Sequence, residues 1–167
     1  LLGFLAFPAL LIIVGNRLLV RPMALKVQKR LEAFVPERQV GLGKASTNWF
    51  NAFTVSPVEI SRLGGFVNGT AARAETVRLT YSLTDILLKR VHAEEGLASI
   101  QMIGPSVVFD PSEPWKFKSK GEGTVPPLEI SWKAGSFEVK GTTSAFEGLK
   151  LYAITGSLDT RSLSPTF

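Results

Sequence analysis

The residues able to do acid, base or metal chemistry are few. The single histidine, His92, lies in "RVHAEEG" with Glu94 two residues on. A metal site usually takes three or four protein ligands, and the chain has no cysteine to complete one. Glu94-Glu95 reads as a turn pair rather than an acid–base dyad. "GLGKAS" lacks the spacing of a phosphate-cradling loop, and there is no Gly-x-Ser-x-Gly elbow to present a nucleophile. Asn68-Gly69-Thr70 matches a glycosylation acceptor, but Asn-Gly is the stronger signal for a turn. The expectation is a protein that is not an enzyme, with no catalytic residues, no metal and no cofactor.

Charge narrows the classes further. Lys and Arg number 19 against 14 Asp and Glu. The surplus is local: Arg17, Arg21, Lys26, Lys29, Arg30, Arg38 and Lys44 share residues 17–44 with only Glu32 and Glu37. The remainder is balanced, so no nucleic acid partner is expected, because such a binder carries its basic residues on the folded domain. The basic segment follows "LLGFLAFPALLIIVG", a run apolar from its first residue. Extended upstream, that run would reach the roughly 20 residues that cross a bilayer; the apolar core of a signal peptide is the alternative reading. Arg17, Arg21, Lys26, Lys29 and Arg30 would then meet anionic lipid headgroups. The absence of cysteine leaves the redox compartment open.

The elements that position side chains come in two kinds. Val20, Ala24, Val27, Leu31 and Phe34 recur at spacings of four, three, four and three, an amphipathic helix that ends by Val35, before Pro36. Its apolar face suits either the bilayer surface or one end of a sheet. From Gln39 onward, short alternating runs dominate: Val40 and Leu42; Val58 and Ile60; Val77, Leu79 and Tyr81; Ala98, Ile100 and Met102; Val107 and Phe109; Leu128, Ile130 and Trp132; Phe137 and Val139; Leu149 and Leu151. Gly64-Gly65, Asn68-Gly69 and Ala134-Gly135 mark turns. Leu83, Ile86 and Leu87 take a short helical spacing. "PSEPWKFKSKGEGTVPP" is a polar excursion. Seven or eight strands, each with one polar face, need their apolar face hidden. A second sheet, a closed barrel, or an open trough holding apolar ligands would do so.

The order of these pieces resembles the beginning of proteins of the AsmA and TamB superfamily. Ala74–Ser82 matches that family's first strand. Leu83, Asp85, Ile86, Leu87 and Arg90 match its helical hook, with Lys89 where Gly is more usual. Leu97–Gly104 with Pro105, then Val107–Phe109, match the closing strands, and "PPLEISWKAGSFEV" resembles the next element.

The resemblance implies a mainly β fold. An N-terminal transmembrane helix and an amphipathic helix would precede an antiparallel curled sheet, a taco-like open groove, with the hook between strands. The expected divisions are a transmembrane anchor at 1–16, a juxtamembrane helix at 17–36, a first β unit at 37–110, a polar connector at 111–127 and a continuing groove at 128–167. The implied function is lipid binding in phospholipid transport or envelope assembly. Val77, Leu79, Tyr81, Ile100, Met102, Ile130, Trp132, Phe137 and Val139 are the groove candidates. Membrane lipids are the expected partners, with protein partners and a continuation beyond 167 as further expectations. The implied place is a single pass of the inner membrane with the β domain in the periplasm or an equivalent space, against a positive-inside reading that would put it in the cytoplasm. A tethered scaffold subunit and a small β-sandwich binding module are the alternatives.

Overall fold

A computed structural model describes residues 20–48, 51–81, 97–116, 128–140 and 148–159. Among these residues the fold is mainly β, with one α-helix, a 3-10 turn at Phe66–Asn68 and a curled mixed sheet. Helix α1 covers residues 20–34. Eight strands follow: β1 (Val40–Thr47), β2 (Ala52–Ser61), β3 (Thr70–Ala74), β4 (Thr76–Tyr81), β5 (Leu97–Ile103), β6 (Ser106–Phe109), β7 (Glu129–Val139) and β8 (Lys150–Asp159).

The eight strands form only six files. β3 and β4 both pair antiparallel with β2, broken from each other at Glu75. β5 pairs antiparallel with β4 and β6 with β3, in one continuous register broken at Gly104-Pro105. The sheet therefore runs β1, β2, β3/β4, β5/β6, β7, β8, and only the contacts of β5 and β6 with β7 are parallel. The expected all-antiparallel sheet is corrected to a mixed one. The reason lies in the connector: parallel neighbours need a crossover of a dozen or more residues, and the stretch between Phe109 and Glu129 is that long. The polar connector carries the chain back to the end where β5 began.

Ala134-Gly135 is also corrected. It is no turn but a kink inside the continuous strand β7. Ala134 takes φ 55°, and the pairing with β8 shifts register there. Its neighbours break at the same level, Gly104 at φ 58° and Ala153 at φ 55°. Hydrogen bonds carry the sheet through the break: Gly104 N donates to Lys133 O at 2.9 Å and Ser136 N to Pro105 O at 2.7 Å. The crease continues through Glu75 to the cis Ser56–Pro57 step of β2. Each file changes its alternation at the crease, Val55 giving way to Val58 and Trp132 to Phe137. In β5/β6, β7 and β8 the left-handed Gly104, Ala134 and Ala153 do this because they break the period of two. The main apolar rows consequently stay on one side of the sheet from end to end, while Ile103 and Val108 fall on the other.

Helix α1 packs on that side. Val20, Phe53 and Val55 form the buried cluster, with Ala24, Val27, Leu42, Ala45, Val58, Leu79 and Tyr81 against it. Of the two surfaces suggested for the helix, its face at Val20, Ala24 and Val27 meets the sheet. The Gln28 amide donates to Val40 O at 2.9 Å, tying α1 to the start of β1. Phe34, expected on the apolar face, is exposed, and Val35 is buried instead. The helix has ended there, and Glu37 turns the chain at φ 71°. No helix among the described residues is long and apolar enough to cross a membrane. The expected anchor at 1–16, Arg17, and the hook and His92 region at 82–96 lie outside the described residues.

Candidate apolar groove

Register builds the site. Cross-strand partners point to the same face of a sheet, so the pairings can be followed from edge to edge. One row reads Thr47, Phe53, Leu79, Ile100, Ile130 and Leu158. The next reads Ala45, Val55, Val77, Met102, Trp132 and Gly156. Beyond the crease lies Val40, Ile60, Ala72, Val107, Phe137 and Leu151. The opposite face is polar by the same rule: Ser46, Thr54, Arg78, Gln101, Ser131 and Ser157 share one row. Ion pairs decorate it, Arg73 to Glu59 at 3.3 Å and Lys150 to Glu138 at 3.2 Å.

Six of the sequence candidates, Val77, Leu79, Ile100, Met102, Ile130 and Trp132, thus stand side by side in two adjacent rows. Tyr81 is at the end of β4 against the α1 cluster. Burial raises its hydroxyl pKa, and the charge of Arg30 offsets this in part. Phe137 and Val139 lie past the crease on the same face, and the Phe109 and Phe137 rings stack with centroids 6.4 Å apart. Trp132 leans over β8, where a Cβ on Gly156 would come within 2.6 Å of the indole. Only a glycine leaves room for the ring at that crossing.

Coverage of the face is uneven. Toward β1 and β2 it is sealed by α1. From β5 to β8 the candidates are half-buried, apart from the buried Val139. At β8 the leucines are open, Leu151 at 45% and Leu158 at 40% exposure. No second sheet faces these strands among the described residues.

Four of the headgroup candidates, Arg21, Lys26, Lys29 and Arg30, lie on the exposed side of α1. Arg38, from the same basic segment, does not. It is 6% exposed, donating to Ser61 O at 3.0 Å and Glu113 O at 3.2 Å, with its guanidinium 4.2 Å from the Trp115 ring. Around it Ser61 is fully buried, accepting from Gln39 N at 2.8 Å. Arg62 pairs with Glu113 at 3.6 Å and Asp110 at 3.9 Å, and Lys116 with Glu37 at 3.2 Å. The start of the polar connector is therefore docked against one end of the sheet. Sequence reasoning missed this latch, and also Phe53 and Leu158 in the rows; Val107 was read as an apolar strand position but not as part of the groove. The alternation with Val55 carried the signal for Phe53.

Among the described residues no three His, Asp or Glu side chains gather in a way that would hold a metal ion. Comparison with known proteins adds no relative: no family model, no curated protein and no solved structure matches this chain.

Proposed function

We propose that the chain binds long-chain lipid along the open part of its apolar sheet face, held at a membrane by its N-terminal segment. The observation that carries this reading is the continuity of the apolar rows from β5 to β8, with no covering layer among the described residues. An acyl chain in water exposes methylenes at roughly 0.8 kcal/mol each. Sixteen of them amount to on the order of 13 kcal/mol. Ile100, Met102, Ile130, Trp132 and Phe137 offer a wall that removes much of that cost and asks for no directional group. The polar opposite face, with its ion pairs, suits water. The membrane part of the proposal rests on the apolar run at 1–15, the exposed basic side of α1 and the likeness to AsmA and TamB proteins. That likeness also supports a periplasmic position for the sheet and a role in lipid transport or envelope assembly.

The test is native mass spectrometry and lipid extraction on detergent-solubilised protein, with photo-crosslinking residues at Trp132 and Phe137. Crosslinks to lipid at both positions and recovered acyl chains are expected. Crosslinks to a single protein, with no acyl chains recovered, would overturn lipid binding and leave a tethered scaffold subunit.

A further inference from the structure

The two flanks of helix α1 meet different parts of the sheet. Val20, Ala24 and Val27 lie against the apolar face. At 3.6 residues per turn, Gln28 falls about 80° to one side of that stripe and Arg30 about 80° to the other. The Gln28 amide bonds Val40 O on β1, the outer strand. The Arg30 flank therefore looks across β4 toward the open rows of β5 to β8. That flank is apolar with cations on it: Met23 is 36% and Phe34 51% exposed, and Lys26 and Arg30 stand between them. Glu32, the one carboxylate of α1, lies on the other flank and accepts from Gln28 at 3.1 Å.

The sheet brings a hydroxyl to the same margin. Tyr81 ends β4, on the face of Leu79 and paired with Leu97. It packs half-buried against the α1 cluster, and the charge of Arg30 acts on its hydroxyl. Ile100, Ile130 and Leu158 carry the face outward from Leu79. A guanidinium and a phenol thus stand where the sealed part of the face passes into the open part. The three files from β5/β6 to β8, at roughly 4.8 Å separation, make an open strip about 10 Å across, which takes two acyl tails abreast. Cations and a donor at one margin of such a strip match an amphiphile with an anionic head. A guanidinium grips phosphate through paired N–H bonds, an ammonium adds a point charge, and a phenol donates one bond more.

We propose that Arg30 and Tyr81, with Lys26 beside them, form the headgroup site of an anionic phospholipid whose acyl tails lie on the open rows of β5 to β8. The site rests on the lipid binding proposed above and adds to it a head group and an orientation, phosphate at the α1 margin and tails toward β8.

Native mass spectrometry of the full chain in neutral detergent tests it, by titration with dioctanoyl phosphatidylglycerol and dioctanoyl phosphatidylcholine. The phosphatidylglycerol is expected to bind about tenfold more tightly. Arg30→Gln should abolish that preference, weakening phosphatidylglycerol about tenfold and phosphatidylcholine less than about threefold. Tyr81→Phe, which keeps the packed ring and deletes the hydroxyl, should weaken phosphatidylglycerol about threefold. Lys44→Gln removes an equal charge from the polar face of β1 and should change neither affinity. Far-ultraviolet circular dichroism checks that each variant folds. Equal affinity of the native chain for the two lipids overturns the headgroup site and leaves lipid on the wall. So does an Arg30→Gln chain that binds phosphatidylglycerol as the native chain does, or a Lys44→Gln chain weakened as much as Arg30→Gln. Laurate displacing phosphatidylglycerol at equal concentration would reassign the site to fatty acids and overturn it too. A native chain that binds neither phospholipid defeats the site and the lipid reading together.

Discussion

Ala134 and Ala153 hold φ at 55°, where the Cβ of an L-residue crowds the following carbonyl. The cost is roughly 1–2 kcal/mol per residue. Glycine removes that crowding but loses about 0.5–1 kcal/mol of chain entropy. Each of Ala134→Gly and Ala153→Gly should therefore raise stability by about 0.5–1 kcal/mol in urea unfolding; a loss would mean that the methyl groups pack something the kink needs. Arg38 works in the other direction. Its guanidinium satisfies two carbonyls in a buried place and lies on Trp115. Arg38→Ala should cost about 3 kcal/mol, and Trp115→Ala, which removes the ring stacked on that guanidinium, about 1 kcal/mol. Equal costs for the two would place the latch's strength in the ring rather than in the hydrogen bonds.

At the scale of elements, the segment Asp110–Lys116 is held mostly by charges, so pH should release it before the sheet. The Asp110 carboxyl titrates below the usual range because the Ser112 hydroxyl and then the Ser112 N–H donate to it, against some desolvation, with Arg62 and Lys140 adding to the shift. A carboxylate with a lowered folded pKa adds stability above its unfolded value, near 3.9, and that contribution fades as pH falls through the folded value. Hydrogen exchange should therefore show residues 110–116 losing protection below about pH 4 while β2 and β4 keep theirs. Asp110→Asn should flatten that step. Within each strand the alternation was legible in the sequence, because period two needs no partner. Hence Ile130 and Trp132 could be assigned to one face before any pairing was known. The joining of Trp132 to Phe137 across the kink was not legible. Ala134-Gly135 says only that the chain departs from extended geometry. Whether it reverses or bends depends on β5 and β6, which break at the same level and hold both halves. Arg38 was illegible for a related reason: its burial depends on Glu113, far along the chain.

For the whole molecule, the six files at roughly 4.8 Å separation make a wall about 24 Å across, narrower than eight separate strands would give. The wall has a sealed part and an open part, and the two should answer differently to the same chemistry. Leu79 packs with the α1 cluster, so Leu79→Asp puts a charge against Phe53, Val55 and the apolar face of the helix. That should cost several kcal/mol and unfold the domain. Phe137 lies in the open part, half-buried beside the exposed Leu151. A carboxylate there can reach water, so Phe137→Asp should leave the fold standing, losing only the area and ring contact the side chain contributes, while lipid recovered by extraction falls sharply. Thermal unfolding and lipid content measured on the same preparations separate the outcomes. If Phe137→Asp unfolds the domain as completely as Leu79→Asp, the face beyond α1 is a closed core. The lipid reading then fails together with the open wall on which it depends.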